Sequence, residues 1–158
     1  MTRLALCAGI LLALFLIGCG GADAPAEEAA PSAQTEDGLT ADELENGIGP
    51  IREVTLGPLD AALAAQGEQS FTSKCTACHK MDERYVGPAL GGILDRRTPE
   101  FIMNMMLNPD EMVKRHPEAR ALLAEYMTPM PNQNLDEAEA RAILEYLRQM
   151  HETPSSAQ

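Results

Sequence analysis

One pentapeptide constrains this chain more than any other feature of its sequence: Cys75-Thr76-Ala77-Cys78-His79. The spacing Cys-x-x-Cys-His is the attachment signature of a c-type haem. Two thiols three residues apart fit on one helical turn and can add across the two vinyl groups of a haem, and the adjacent imidazole can then reach the iron as its proximal ligand. The motif therefore predicts one covalently bound haem c, attached through Cys75 and Cys78 and ligated by His79.

Other interpretations of the motif fit the rest of the sequence less well. A dithiol redox protein also carries Cys-x-x-Cys, but within a βαβ unit, whereas here the motif follows a helical stripe and no segment is rich in strand formers. A structural zinc site needs four ligands, and the remaining candidates, His116 and His151, lie more than thirty residues from the motif. A disulfide between cysteines so close in sequence is geometrically awkward. A thiol-disulfide redox protein stays open as an alternative only if no haem is attached.

Residues 1–18 have the anatomy of a secretory signal peptide of the lipoprotein type. Arg3 supplies a short positive region, and residues 4–17 carry no charge. This stretch is shorter than the roughly 20 apolar residues of a membrane-spanning helix. It ends at Gly18-Cys19, which resembles a bacterial lipobox and implies cleavage before Cys19 and lipidation of its thiol. We therefore expect a lipid anchor in the bacterial cell envelope, with the domain facing the periplasm or the outer surface; the alternative is cleavage near residues 22–24 and release of a soluble protein.

Residues 19–57 are predicted to be a disordered tether. They are rich in Ala, Pro, Glu and Asp and show no sustained apolar period, so they cannot bury enough surface to offset the entropy lost on ordering. A competing interpretation is a short helix over residues 41–45, with Thr40 as its N-cap and Glu43 at the third position.

The formal net charge of −12 argues against nucleic acid as a partner, because neutralising phosphates needs clustered Lys and Arg. Most of this charge precedes the motif: residues 20–66 hold ten acids and one base, net −9, whereas residues 67–158 hold fourteen acids and ten bases, net −4.

Beyond residue 57 the apolar residues recur at helical spacing. Helix starts are indicated by an N-cap residue or a proline in the first turn, at Pro58, Thr98-Pro99, Asn108-Pro109 and Asp136. His116-Pro117 interrupts the helical pattern before a further stretch at residues 118–126. The first and last helices each present one apolar stripe, formed by Leu59, Leu63, Gly67 and Phe71 and by Ala140, Ile143, Leu144, Leu147 and Met150. Glycine inside a helix costs about 1 kcal/mol relative to alanine, so Gly67 predicts the close approach of another helix.

Residues 67–150 resemble a class I monohaem cytochrome c. The resemblance rests on the spacing of Gly67, Phe71, Cys75, Cys78 and His79 and on the loop Gly87-Pro88-Ala89-Leu90-Gly91. It implies an all-α fold of four to five helices around one covalently attached haem, in a domain that we place at 58–151, before a flexible tail at 152–158. In that family the loop proline accepts a hydrogen bond from the proximal imidazole, so Pro88 is expected to fix the tautomer of His79. The family also crosses its first and last helices, which implies contacts of Gly67 with Tyr146, or of Phe71 with Leu147.

The sixth iron ligand is expected to be a methionine, since a thioether opposite histidine raises the reduction potential and suits electron transfer. Most methionines lie beside helical stripes or too close to His79, which leaves Met127 and Met130 before the last helix. Members of the resembled family place the ligand in such a segment. We favour Met130 because a proline on each side restricts its backbone. His116 is a weaker candidate, and we expect it to face solvent.

These features predict a membrane-tethered monohaem cytochrome that carries single electrons between respiratory redox partners, a respiratory complex or a terminal reductase. With both axial positions filled no substrate site remains, so we expect no enzymatic activity, and we expect a monomer. Residues 97–109 and 130–134 resemble small cytochromes associated with bacterial nitrous oxide reductase systems, which implies a candidate acceptor. If Met130 does not bind iron, the alternative is a haem-based ligand sensor or a peroxidase-like protein. Five cations either ring the haem edge and steer docking or, as we favour, form an ordinary mixed surface: Lys74, Lys80, Arg84, Arg96 and Arg97.

Overall fold

The computed structural model describes residues 38–153, and helices are the regular elements of that range. The six α-helices are α1 (Ala41–Asn46), α2 (Ala61–Lys74), α3 (Pro99–Leu107), α4 (Pro109–Arg115), α5 (Pro117–Tyr126) and α6 (Glu137–Glu152), with a 3₁₀ turn at Ile93–Asp95. The all-α prediction is confirmed, and α1 is the helix beyond the expected four to five. Within residues 38–153 no helix is both long enough and apolar enough to cross a membrane. The predicted signal peptide, Cys19 and residues 154–158 lie outside the described residues.

Local capping sets most helix starts where the sequence predicts them. The Thr98 hydroxyl accepts a hydrogen bond from the Phe101 N–H at 3.1 Å, and Asp136 forms a capping box with Glu139. The prediction of a first helix that opens at Pro58 is wrong: α2 begins at Ala61. The Asp60 carboxylate accepts hydrogen bonds from two N–H groups of the first turn, at 2.9 and 3.0 Å. An N-cap aspartate satisfies these donors, whereas the side chain of Pro58 has no acceptor atom.

Helices α2 and α6 cross in close contact at Gly67, which is buried. A Cβ placed there would lie 1.9 Å from the carbonyl oxygen of Ala142. The predicted close approach is therefore confirmed, and the atoms nearest that Cβ belong to the backbone of Ala142 and Ile143. Tyr146 contacts Phe71, with 5.3 Å between ring centroids. This pair and four residues of the α6 stripe, Ala140, Ile143, Leu144 and Leu147, belong to the core that α2, α3 and α6 share.

A buried carboxylate joins the start of α2 to α6. Glu145 has no solvent-exposed surface, and its oxygens accept hydrogen bonds from Arg141 at 2.6 Å, Arg148 at 2.8 Å and the Asp60 N–H at 2.8 Å. Burial alone raises the pKa of a carboxyl, but here the Asp60 N–H and the two guanidinium groups outweigh it and hold the pKa of Glu145 below its ordinary value.

Residues 38–57, called the N-terminal strap below, contradict the prediction of a disordered tether. Leu39, Ile48 and Ile51 are buried. The Asn104 side-chain amide donates to the carbonyls of Asn46 and Ile51, and its oxygen accepts from the Ile51 N–H, each at 2.9 Å. The strap is ordered because its few apolar residues find a partner surface on α3 and α4, and polar side chains there satisfy its backbone. The folded unit thus includes residues 38–57 rather than beginning at 58, and residues 19–37 of the predicted tether lie outside the described residues.

Candidate functional site

The pentapeptide forms one turn directly after α2. The N–H groups of Cys78 and His79 both donate to the Cys75 carbonyl, at 3.0 and 2.9 Å. This turn brings the side chains of Cys75, Cys78 and His79 to the wall of the same cavity. The three residues singled out by spacing therefore also converge in space.

The cavity is large for a protein of this size and almost wholly apolar. Its volume is about 220 Å³, whereas protein interiors contain few voids larger than a single water molecule. Apolar side chains from α2, α3, α5, α6 and the intervening loops form the wall: Phe71, Val86, Leu90, Ile93, Phe101, Ile102, Leu122, Leu123, Ile143 and Leu147 among them. An apolar chamber beside two thiols and an imidazole has the donor set and the lining that a porphyrin requires.

The imidazole of His79 has one tautomer set by its surroundings. Its Nδ1 lies 2.9 Å from the carbonyl oxygen of Pro88, and a carbonyl only accepts, so Nδ1 carries the proton. Nε2 therefore keeps its lone pair, and no described residue occupies it with a hydrogen bond. The expected contact between Pro88 and His79 is present, and it leaves the histidine prepared to ligate a metal through Nε2.

Glycine is required next to this imidazole. A Cβ at Gly87 would lie 2.6 Å from Cε1 of His79, so any side chain there would displace the ring. The Gly87 N–H donates to the Cys78 carbonyl at 2.8 Å, and two further backbone hydrogen bonds of similar length close the same loop. The Gly-Pro pair thus shapes the slot in which the imidazole lies, which goes beyond a simple turn.

The two methionines proposed as the sixth ligand lie in different environments. Met130 is half-buried, packs against the core and lines the cavity. Met127 is 82% exposed, terminates α5 with a left-handed φ of 53° and is not part of the cavity wall. Met105 and Met106 of α3 also line the cavity, where they pack as part of a helix. Of the two candidates from the irregular segment, Met130 is the one at the cavity.

The prediction that His116 faces solvent is wrong, because its side chain is fully buried. Its Nε2 donates to the Leu44 carbonyl at 3.1 Å, and its Nδ1 accepts from the Glu118 N–H at 3.2 Å. It also makes an edge-on contact with the ring of Phe101. Both ring nitrogens hold the N-terminal strap and the start of α5 together, so His116 has no lone pair left for a metal.

The Cys75 thiol has the character of a structural group and not of a redox-active thiolate. Burial raises the pKa of Cys75 to about 11, although the ammonium of Lys74 opposes this rise, so the thiol is protonated at neutral pH. Reactive cysteines have lowered pKa values instead. Among the described residues neither Cys75 nor Cys78 is in a disulfide.

The five cations noted in the sequence divide into two groups. Lys74, Arg96 and Arg97 line the cavity, which has no acidic side chain in its wall, whereas Lys80 and Arg84 lie outside it. Several are already paired: Lys74 with Glu139, Arg84 with Glu125 and Arg97 with Glu118. The favoured mixed surface thus describes them better than a continuous ring of free charges.

The sequence pattern alone does not assign α5 to the site. A signal was nevertheless present, because Ala119, Leu122, Leu123 and Tyr126 recur at i, i+3, i+4 and i+7. This stripe forms part of the cavity wall.

Comparisons with known proteins agree with this geometry. A family model described as cytochrome c matches residues 64–151. The structure of a cytochrome c from Rhodothermus marinus is 54% identical, with 72% of this chain and 98% of that chain covered and a TM-score of 0.69. An engineered form of that cytochrome bound to a carbene intermediate is 53% identical, with 71% and 98% covered and a TM-score of 0.65. The cytochrome c domain of a Pseudomonas putida protein is 30% identical, with 55% and 89% covered and a TM-score of 0.51. No curated protein matches the sequence.

Proposed function

The chain belongs to the cytochrome c family and binds one covalently attached haem c, and from that premise we propose that it is a membrane-tethered carrier of single electrons between respiratory redox partners. Cys75 and Cys78 hold the haem through thioether bonds, and His79 and Met130 ligate its iron. The observation that supports this assignment is the convergence of these four side chains on one apolar cavity, with the Nδ1 of His79 hydrogen-bonded to the Pro88 carbonyl and its Nε2 without a hydrogen-bond partner among the described residues.

The haem supplies a one-electron iron couple when bound. The residues of this chain have three further roles: the Pro88 carbonyl orients the imidazole, the apolar wall excludes water, and the thioether of Met130 would favour the reduced state of the iron. With two protein ligands there is no position for a substrate, so we assign no catalytic residue.

The axial ligand is tested by replacing each candidate methionine with alanine. We expect Met130→Ala to abolish the weak near-infrared band of a methionine–iron bond, and Met127→Ala, at an exposed position, to leave it unchanged. A band that survives in Met130→Ala, or that disappears in Met127→Ala, would refute the assignment. A haem stain after denaturing electrophoresis tests attachment independently, and its absence would favour the thiol-disulfide alternative.

The rival function is a haem protein with an accessible sixth position, a ligand sensor or a peroxidase-like enzyme. The engineered Rhodothermus relative, which holds a carbene intermediate, gives reason to test this. Spectra of the reduced protein with and without CO separate the two functions. A six-coordinate electron carrier binds CO weakly, and ready binding by the wild-type protein would favour the rival.

The membrane tether is proposed from the lipobox-like sequence before Cys19. Two or more acyl chains give stable anchoring where one chain gives only reversible binding. We expect the wild-type protein in the membrane fraction of the cell envelope and Cys19→Ala in the soluble or unprocessed fraction. A variant whose processing and membrane attachment are both unchanged would contradict lipidation at this residue.

The partners are proposed to be a respiratory complex as donor and a terminal reductase as acceptor, of which a nitrous oxide reductase is the candidate suggested by residues 97–109 and 130–134. Stopped-flow oxidation of the reduced protein by a purified nitrous oxide reductase tests this directly. Oxidation no faster than that of an unrelated cytochrome of similar potential would remove the candidate. Analytical ultracentrifugation of the soluble domain tests the expected monomer.

A further inference from the structure

Arg84 joins the loop that orients His79 to the end of α5, after which the chain leads to Met130. Its Nη1 donates to Oε1 of Glu125 at 2.7 Å, and its Nη2 donates to the Glu125 carbonyl at 3.0 Å. The guanidinium also lies over the ring of Tyr126, 4.1 Å from its centroid. One side chain therefore bridges the segments that carry the two proposed axial ligands.

The contact supplies what α5 itself lacks. The last carbonyls of a helix have no intrahelical partner and carry a partial negative charge, so a cation there is stabilising. Helix α5 has no basic residue in its last turn, and Arg84 provides both a donor and a positive charge from another part of the chain. Met127 follows at once in the left-handed region, so Arg84 acts where the direction of the next segment is set.

Residues 127–135, called the Met130 segment below, have few other anchors. Two hydrogen bonds within it are internal: Gln133 Nε2 donates to the Pro131 carbonyl at 3.1 Å, and the Asn134 N–H to Oδ1 of Asn132 at 2.8 Å. Within the described part of the chain no hydrogen bond joins residues 128–135 to another element, and Met130 and Leu135 hold the segment by packing on the core.

We propose that Arg84 is a positioning residue that keeps Met130 within reach of the iron, by tying the start of the Met130 segment to the loop that orients His79. Because Met130 is a ligand only under the proposed function, this role of Arg84 rests on that proposal. Loss of the tie leaves the segment free to move away, and the sixth position then opens to small external ligands. Arg84 thus determines how far the protein behaves as a closed electron carrier.

The test uses the holoprotein with Arg84 replaced by glutamine. We expect a weaker near-infrared methionine–iron band and an affinity of the reduced protein for CO that rises about tenfold, since a partly exposed charged hydrogen bond and a cation–π contact together change an equilibrium by about that factor. The affinity of the oxidised protein for imidazole should rise in parallel. Arg84→Lys keeps the charge but loses the planar fork, so it should lie between glutamine and wild type.

A matched control separates this role from the loss of any surface ion pair. Arg52 pairs with Asp42 at 3.3 Å on the N-terminal strap, and both side chains are about as exposed as Arg84 and Glu125. Arg52→Gln should leave the band and the CO affinity unchanged. Equal behaviour of Arg84→Gln and Arg52→Gln would overturn the proposal.

The experiments distinguish an error in the positioning role of Arg84 from an error in the assignment of Met130 as the iron ligand. If Met130→Ala retains the near-infrared band, the ligand is wrong; if Met130→Ala loses it while Arg84→Gln keeps wild-type affinity for CO and imidazole, only the tie is wrong. Should Arg84→Gln yield no holoprotein, Arg84→Lys and Glu125→Gln take its place, and wild-type CO affinity in both would overturn the proposal.

Discussion

Replacing Gly67 with alanine sets helix propensity against packing at the crossing of α2 and α6. Propensity alone favours alanine by about 1 kcal/mol. In the structure, however, the added Cβ would lie 1.9 Å from the carbonyl oxygen of Ala142 and 2.4 Å from its carbonyl carbon. Propensity and packing therefore predict opposite signs for the change in stability.

The size of the destabilisation depends on how far helix α6 must move to accommodate the added Cβ. The obstacle is the backbone of α6, so no side-chain rotation relieves it, and an ordinary contact of 3.4 Å requires the helices to separate locally by 3.4 − 1.9 = 1.5 Å. A gap of about 0.5–1 Å already forfeits a quarter to a half of the dispersion attraction between facing atoms. The cost thus lies at or above the roughly 3 kcal/mol that marks severe overpacking. After the gain of about 1 kcal/mol in propensity, we expect a net destabilisation of about 2 kcal/mol or more.

Guanidinium chloride unfolding of the holoprotein measures this change, with far-ultraviolet circular dichroism and the Soret band as separate probes. Ala65→Gly, at an exposed position of the same helix, is the control and should lose only the propensity difference of about 1 kcal/mol. A midpoint for Gly67→Ala at or above that of wild type would refute the packing account of the crossing.

Three further changes test the site, the buried charge and the strap. Gly87→Ala places a Cβ 2.6 Å from the imidazole of His79, so we expect shifted hyperfine proton resonances of that ring and a lower yield of holoprotein. Unchanged resonances would contradict the inference that Gly87 fixes the position of the imidazole. The pKa of the Glu145 carboxyl lies below its ordinary value in the folded protein. The ionised carboxyl therefore stabilises the folded state at pH values above its ordinary pKa, and this stabilisation is lost as the pH falls through the folded-state pKa. Glu145→Gln should therefore be less stable than wild type by about 3 kcal/mol at pH 7. The difference between their thermal unfolding temperatures should narrow below about pH 4.5. A difference that does not change with pH would argue against stabilisation by the ionised carboxylate. Asn104→Ala leaves three backbone groups of the strap unpaired, so proteolysis within the strap should accelerate more than in Asn108→Ala, which loses one bond; equal rates would show that Asn104 does not hold the strap.

The features that could be predicted from the sequence are those that depend on interactions between residues close together in the chain. The spacing of Cys75, Cys78 and His79 specifies a covalent chemistry within one turn, and the haem c assignment agrees with the family match. The helix starts at Thr98 and Asp136 were predictable for the same reason, because an N-cap side chain binds an N–H three residues away.

The strap could not be predicted because its order depends on distant partners. Leu39, Ile48 and Ile51 are isolated apolar residues in an acidic stretch, and their spacing matches neither helical nor strand periodicity. They become a buried face only when α3 supplies Asn104, whose amide satisfies strap backbone groups more than fifty residues away. The same limit applies to His116, which is buried because the strap's Leu44 carbonyl accepts from its ring.

Arg84 lies between these two cases. From the sequence Arg84 is one of five similar cations, and the surface that its side chain contacts is set only by the fold of its loop. Yet α5 contains Glu118 and Glu125 and has no base in its last turn, and a helix end without a cation leaves carbonyls that another segment can satisfy. The lack of a cation in the last turn of α5 could thus be seen in its sequence. That Arg84 supplies this cation could be seen only in the structure, in which the loop after His79 packs against the end of that helix.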